Sequence, residues 1–478
     1  MRKLPLLALA APSLFLALAA CEGSDSGGAT PFTVPESGVF ETGTSDSALP
    51  DGGVADSALA DTFVAPLGVT VTVADAVGPK NNVRVIFHDA AGAVIGETTT
   101  DATGKAKVAT APSMVTVLYA PDASRATPVT FTGVADGDNL VVAPRLPFNE
   151  APVFATFSVS FTDGAAIANA NFFQVRAGMG FCGNSTNDKA AVVPVGMYAE
   201  CLAAKNAVLV EASNGGGLLA FGFAKDIVKP AMGATTNVPP LAFTAPGSRQ
   251  ITASNLPAAQ ALLKRNQLHA IVGTQGFELG NATGTIDTAG GVTYKAATGF
   301  ADAYQVVVAV ESHQSSNSET AIIRREAAAA AADATLANVD FNTALPLITT
   351  ATVAAPTLAR PDVTITPAAA LTGADAGVVR LGWYDFETNK GGSWTFVVPA
   401  NVTTFKAPAL PANASAFTPA IAPNIESAAY FDASLVPSYA AAKLLPLVPD
   451  ADIELADASR PLPAAGTVRV TRYQPIGR

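Results

Sequence analysis

From Val69 onward, apolar and polar residues alternate in short runs with the period of a β-strand. Val69-Thr70-Val71-Thr72-Val73 puts three valines on one side of an extended chain and two threonines on the other. Val83-Arg84-Val85-Ile86-Phe87 follows after the Gly78-Pro79 breaker, and Asp89-Ala90-Ala91-Gly92 predicts a turn. A strand around Val94 to Thr99, a second turn at Asp101-Ala102-Thr103-Gly104, a strand from Lys105 to Ala109 and the run Met114 to Tyr119 extend the pattern. Short strands punctuated by Asp-x-x-Gly turns predict a β-sandwich over 66–150.

The signature continues through 151–345, a β-rich middle region of one or two domains. Thr156 to Phe161 alternates, Phe172 to Val175 follows, and Asn214-Gly215-Gly216-Gly217 joins Val208–Glu211 to Leu218–Phe221 as a hairpin. Ile271-Val272, Thr293-Tyr294 and Tyr304 to Val310 predict further strands. Two segments are ambiguous. Leu256 to Leu268 fits either period, and Glu319 to Leu336 holds an alanine run, Ala327 to Ala332, behind the capping box Ser316-Asn317-Ser318-Glu319. Those features favour a short helix, although no amphipathic stripe extends beyond Ile322 and Ile323. In 346–478 the strands are Val363–Ile365, Val378–Tyr384, Ser393–Val398 and Thr467–Val470, with Asn389-Lys390-Gly391-Gly392 expected as the turn between the two tryptophan strands.

The first module carries a resemblance. Val83 to Gly92, read V-R-V-I-F-H-D-A-A-G, followed by T-T-D-A-T-G-K-A from Thr99, resembles carboxypeptidase regulatory-like (transthyretin-type) domains and bacterial Ig-like repeats. That resemblance implies spacing, scaffolding or binding, and brings no catalytic residues. The last module is similar to fibronectin type III-like or Ig-like sandwiches, with Trp383 or Trp394 as core anchor. The expected fold class is all-β, with tandem β-sandwich domains.

The N-terminus changes the picture. Met1-Arg2-Lys3 precedes an apolar run from Leu4 to Ala20, and Leu18-Ala19-Ala20-Cys21 resembles the bacterial lipoprotein signal. The resemblance implies cleavage before Cys21, a diacylglycerol on that cysteine and a membrane partner held through the lipid. An ordinary cleaved signal is the alternative. A membrane-spanning helix is disfavoured, because the run is broken by Pro12 and Ser13 and is shorter than the roughly 20 residues a span requires. Residues 22–65 have eight acidic residues, no Lys or Arg, and abundant Gly, Ser, Thr and Ala, a composition that predicts a disordered tether. As a flexible chain it would span on the order of 35 to 40 Å. The implied location is the cell envelope, and Glu22, where an Asp would signal inner-membrane retention, points to the outer membrane, periplasmic or surface-facing.

Charge and cysteine content narrow the partners. The chain carries 28 basic and 39 acidic residues, a formal charge of -11, and loss of Arg2 and Lys3 with the signal leaves it more acidic still. Nucleic acid needs clustered cations and is excluded as a partner on this ground. Cys182 and Cys201 are the cysteines left once Cys21 is a lipid acceptor, and in an exported chain they are expected to form a disulfide.

Candidate chemistry is sparse. There is no G-x-S-x-G, H-E-x-x-H or G-x-x-x-x-G-K. Gly178-Met179-Gly180-Phe181-Cys182-Gly183 matches G-x-G-x-x-G but lacks the strand–turn–helix context of a dinucleotide site, and reads as a glycine-rich loop pinned by Cys182. His88 beside Asp89 has no nucleophile and reads as an exposed histidine before a turn. Asp136-Gly137-Asp138-Asn139 and Asp450-Ala451-Asp452-Ile453-Glu454 lack a full calcium-loop spacing and read as solvated turns. Trp383, Tyr384 and Trp394 are the candidate ligand-binding residues, as an aromatic platform for sugar, against the plainer reading of a core pair. No catalytic residue, metal ligand or cofactor is assigned. The expectation is a non-enzymatic envelope lipoprotein that binds, spaces or scaffolds, with an envelope protein or polysaccharide as candidate partner. The alternatives are a carbohydrate- or protein-binding adhesin and a hydrolase with an unfamiliar site in 151–345.

Overall fold

Runs of consecutive apolar residues, such as Val378-Val379 and Phe396-Val397-Val398, belong to strands whose two faces are both covered, and the fold is organised around such strands. The computed structural model describes residues 68–475, apart from 76–77, 110, 121–123, 144–152, 179–181, 199–200, 257–261, 284–290, 313–316, 330, 435, 437, 445–461 and 463. Cys21, the tether, His313 and the acidic run from Asp450 to Glu454 lie outside the described residues. The protein is all-β, with several sheets packed as sandwiches.

The largest sheet has twelve strands. In chain order they are β1 (Arg84–His88), β2 (Val94–Thr99), β3 (Met114–Tyr119), β4 (Arg125–Thr132), β5 (Leu262–Val272), β6 (Gln275–Thr283), β7 (Ala303–Ser312), β8 (Asn317–Ala327), β9 (Ala376–Asp385), β10 (Lys390–Pro399), β11 (Asn424–Ala433) and β12 (Gly466–Gln474). In space they run β6-β5-β7-β8-β12-β11-β9-β10-β4-β3-β1-β2. Strands from 346–478 therefore occupy the middle, those from 151–345 one flank and those from 66–150 the other.

Smaller sheets cover both faces. Val378, Val397, Ala429 and Phe431 face Val69, Val71 and Val73 of strand Val69–Asp75. Their neighbours in sequence, Val379, Phe396, Ala428 and Tyr430, face Ile348 and Ile365 on the opposite side. The flank from 151–345 is covered by Ile251, Tyr294 and Ala296, packed on Leu268, Ala270, Val306 and Val308. A separate sandwich joins Val208, Val210 and Ala212 to Phe157 and Val159, and Ala207 and Leu209 on the other face of the same strand contribute to the preceding core.

The alanine-rich segment is a correction to its helical expectation. Asn317–Ala327 is strand β8, with Ile322 in one core and Ile323 in the opposite one, an arrangement that only the two-residue period allows. Beyond it the backbone turns around a buried cation. Arg249 is 1% exposed, stacks 4.9 Å from the Tyr304 ring, and donates to the carbonyls of Ser248, Ala329, Ala331 and Ala332. Tertiary hydrogen bonds thus claim carbonyls that a helix would use, and override propensity.

One pairing differs from the rest of the long sheet: β10 and β4 run parallel, whereas the other strand pairs in it are antiparallel. The register matches Gly391 and Gly392 with Arg125 and Ala126, then resumes at Thr395 with Val129. Between the two stretches lies Pro128, whose nitrogen has no proton to donate. Side chains reinforce this seam. Trp394 Nε1 donates to Thr130 Oγ1 at 2.9 Å, Thr130 and Thr116 hydroxyls are 2.9 Å apart, and Thr116 Oγ1 lies 2.9 Å from His88 Nε2. The four residues are fully buried and sit on β10, β4, β3 and β1, so one line of hydrogen bonds crosses four adjacent strands. At the far end the Tyr439 hydroxyl, at the start of helix α1 (Tyr439–Ala442), reaches both Thr132 O (2.5 Å) and Val397 O (2.9 Å). Lys443 pairs with Asp138 beside it.

Thr130→Val keeps the side-chain volume and leaves the Trp394 N–H buried without an acceptor. Urea unfolding should report a loss of about 2 kcal/mol. A change under about 0.5 kcal/mol would mean that the line contributes nothing beyond packing.

Candidate functional site

A concavity lies at one end of the β9–β10 hairpin, and glycines build it. Gly391 pairs with Tyr384 and Gly392 with Trp383. A Cβ on Gly392 would collide with the Trp383 ring and with the carbonyl oxygen of Ala126, and one on Gly391 would lie 2.8 Å from the Tyr384 ring. Each aromatic ring therefore lies over the glycine opposite it. The turn is Phe386 to Asn389, three positions earlier than the expected Asn389 to Gly392, and Gly391 and Gly392 belong to the strand. At the tip, Asp385 accepts from the Glu387 N–H (2.9 Å) and the Thr388 hydroxyl (2.7 Å), bonds that hold its carboxyl below the usual range.

A third glycine serves Glu426. Register between β9 and β11 pairs Arg380 with Ser427 and Leu381 with Ile425, leaving Glu426 as the extra residue of a bulge. A Cβ on Gly382 would occupy the space taken by the Glu426 carboxylate. Through that clearing Glu426 crosses β9 to accept from Ser393 Oγ on β10 (2.9 Å), and it pairs with Arg380 Nε at 2.8 Å. Two adjoining cavities of about 430 and 550 Å³ share Ser124, Arg125, Trp383 and Gly391. Arg125, Arg380 and Lys390 line them with two carboxylates, Asp385 and Glu426.

The candidate aromatic residues divide. Trp394 is fully buried and belongs to the seam, and Trp383 is 7% exposed and lines both cavities. Tyr384 is 45% exposed, its hydroxyl donates to Asn389 Oδ1, and its ring meets Phe386 edge-on at 4.9 Å. A platform built from both indoles is therefore not what the fold presents. The exposed pair is Tyr384 with Phe386, the latter 86% exposed. Sequence reading missed Phe386, Arg380 and Glu426. The only signal for them was glycine opposite aromatic residue across a hairpin, and that depends on the true register.

Other sequence candidates resolve structurally. Cys182 and Cys201 form the disulfide, with Cα atoms 6.3 Å apart. Gly178, at φ +67°, lies against the Cys201 carbonyl where no Cβ would fit, so this glycine of G-x-G-x-x-G serves the disulfide crossing. Met179 to Phe181 lie outside the described residues. Asp136 accepts from Gly68 N (2.7 Å), and Asp138 accepts from Ala135 N (2.7 Å) and pairs with Lys443, so both carboxylates have protein partners. Among the described residues no group of three or more His, Cys, Asp or Glu is placed to hold a metal.

His88 is fully buried, which corrects its reading as an exposed histidine, although Asp89 does make the turn by accepting from Ala93 N at 2.8 Å. Burial lowers the His88 pKa from 6.5 to about 4; Asp89 opposes that shift and Arg360 adds to it.

Comparison with known proteins leaves the site to be argued from its own geometry. No protein-family model matches the chain. No curated protein matches it either. Among solved structures, the Bacillus anthracis TIE protein aligns at 11% identity over 58% of this chain and 50% of its own, with a TM-score of 0.14. This chain thus spans half the length of that protein. Three fibronectin domains of chicken CNTN1 align at 10% identity over 55% of this chain and 83% of theirs, with a TM-score of 0.11. Escherichia coli alpha-2-macroglobulin aligns at 8% identity over 74% and 26%, with a TM-score of 0.12.

Two outcomes follow. Because folded His88 titrates near 4 and the unfolded side chain near 6.5, its contribution is present above pH 6.5 and is lost as pH falls toward 4. Urea unfolding should show about 2 to 3 kcal/mol less loss between pH 7 and pH 4.5 in His88→Gln than in the parent. Gly392→Ala should displace the Trp383 indole, destabilise by about 1 to 3 kcal/mol and shift tryptophan emission to the red. Unchanged emission would show that the glycine does not hold the ring's place.

Proposed function

We propose that the chain is a lipid-anchored, non-catalytic protein of the bacterial cell envelope, whose β-sandwiches scaffold a binding groove held off the membrane by an acidic tether. The observation that carries this reading is the cysteine pairing. Two of the three cysteines are joined to each other, and the third, Cys21, stands behind Leu18-Ala19-Ala20. A buried disulfide suits a chain that leaves the reducing cytosol, and closing its loop contributes about 3 kcal/mol in the chain-entropy account. Scaffolding is supported by the twelve-stranded sheet, which ties residues 84–132 to 376–399 and these to 262–327 through main-chain hydrogen bonds.

A second reading has its own support. The cavities beside Trp383, with the exposed Tyr384–Phe386 pair, favour a binding role of the adhesin kind over a purely passive spacer.

Anchoring is tested by growing cells expressing the full chain with radiolabelled palmitate. The parent should take up label and partition into the detergent phase, and Cys21→Ser should take up none. Label retained by Cys21→Ser would remove the lipid from this cysteine. Protease treatment of intact cells then separates the two orientations, since a surface-facing chain is degraded and a periplasmic one survives.

A further inference from the structure

We infer that Lys443 and Asp138 condense to an amide, a covalent cross-link between the first module and the last that the chain makes without a second protein. The inference goes beyond the scaffold reading and does not rest on it.

Surroundings come first. Lys443, directly after helix α1, is 2% exposed and pairs with Asp138 of the turn Ala135–Asp138, whose own side chain is 11% exposed. An ammonium has three protons to donate. This one meets the Asp138 carboxylate, the Gly133 carbonyl at 3.5 Å and the face of the Tyr439 ring at 4.8 Å. Two opposite charges taken out of water repay their desolvation only when the remaining protons and lone pairs are also well bonded, and among the described residues the ammonium has one long hydrogen bond besides its ion pair. An amide removes both charges.

Both partners are fixed in place. Asp138 N–H donates to Ala135 O at 3.2 Å, and Ala135 N–H returns a bond to Asp138 Oδ2 at 2.7 Å, so the carboxylate is held in one orientation. On the other side Val141 N–H donates to Lys443 O at 3.2 Å, and the Tyr439 hydroxyl ties the helix to Thr132 O and Val397 O. Nitrogen and carboxyl carbon are therefore brought together before reaction, with little freedom left to lose.

The step balances within the pair. One proton passes from Lys443 Nζ to the carboxylate, leaving an amine and a carboxylic acid. Nζ then bonds to the Asp138 carboxyl carbon, and the negative charge that develops on Oδ2 is met by Ala135 N–H. The bond from that carbon to Oδ1 breaks, and Oδ1 leaves as water with two of the three ammonium protons. No oxidant or other co-reactant enters, and burial keeps bulk water from reversing the step. The bond joins residues 305 positions apart, beside the seam where β4 and β10 run parallel.

The test is peptide mass spectrometry of the full chain, purified from cells, reduced and digested with trypsin. The main product should be fragment 126–145 joined to the fragment that spans Lys443, about 18 Da below the sum of the two and uncleaved after Lys443. Neither fragment contains Cys21, so the outcome is independent of the lipid. Asp138→Ala should release both fragments unlinked. So should Lys443→Arg, which keeps the positive charge on a guanidinium that is no nucleophile. On a reducing, denaturing gel the parent, with its long loop still closed, should run ahead of Lys443→Arg. Cleavage after Lys443 and an unlinked 126–145 fragment as the main products of the folded parent would leave an ion pair only and overturn the inference.

Discussion

The hydrogen bond from Trp394 to Thr130 crosses the long sheet where its ladder is parallel and interrupted. β10 and β4 are distant in sequence, run parallel, and carry Pro128 at a point where the ladder needs a donor. Without a side-chain bond across that gap, the strands of 84–132 would be attached to the rest by an interrupted ladder. With it, the indole anchors a buried line that continues through Thr130 and Thr116 to His88. The same line gives a histidine in a hydrophobic layer a polar partner, since its ring nitrogen ends a chain of hydroxyls. Burial keeps the ring neutral, outweighing the neighbouring Asp89 carboxylate.

The groove depends on the seam too. Gly392 lies under the Trp383 indole and against the Ala126 carbonyl of β4, so the residue that clears space for the aromatic wall also permits the parallel strands to approach. Site and scaffold share atoms at this position. The bulge at Glu426 supplies the polar counterpart, taking one residue out of the ladder and redirecting its carboxylate across a neighbouring strand.

Much of the fold was legible from alternation alone, because a strand covered on one face must alternate and one covered on both must run apolar. Val69 to Val73 and Val378 to Tyr384 show the two cases. The readings that failed share a cause. Ala327 to Ala332 has helical propensity, but its carbonyls are claimed by Arg249, about 80 positions earlier in the chain. His88 looked exposed because a turn follows it, yet its own side chain points inward on β1. The hairpin at Phe386 to Asn389 was misplaced because glycines usually mark turns, whereas Gly391 and Gly392 make room for rings. Local composition cannot report what a distant or facing strand requires. The candidate site was legible only through Trp383 and Tyr384, since Arg380 and Glu426 are joined to them by register.

Strand β12 brings a further consequence. It is the last of the twelve in chain order, yet it sits between β8 and β11 near the middle of the sheet. A chain synthesised from its N-terminus must hold two partial sheets with open edges until this strand arrives to join them. Its pairing with β8 closes a loop of more than a hundred residues, the kind of long-range step that makes assembly slow. In that interval the edges of β8 and β11 that β12 later covers are open to pairing with other copies.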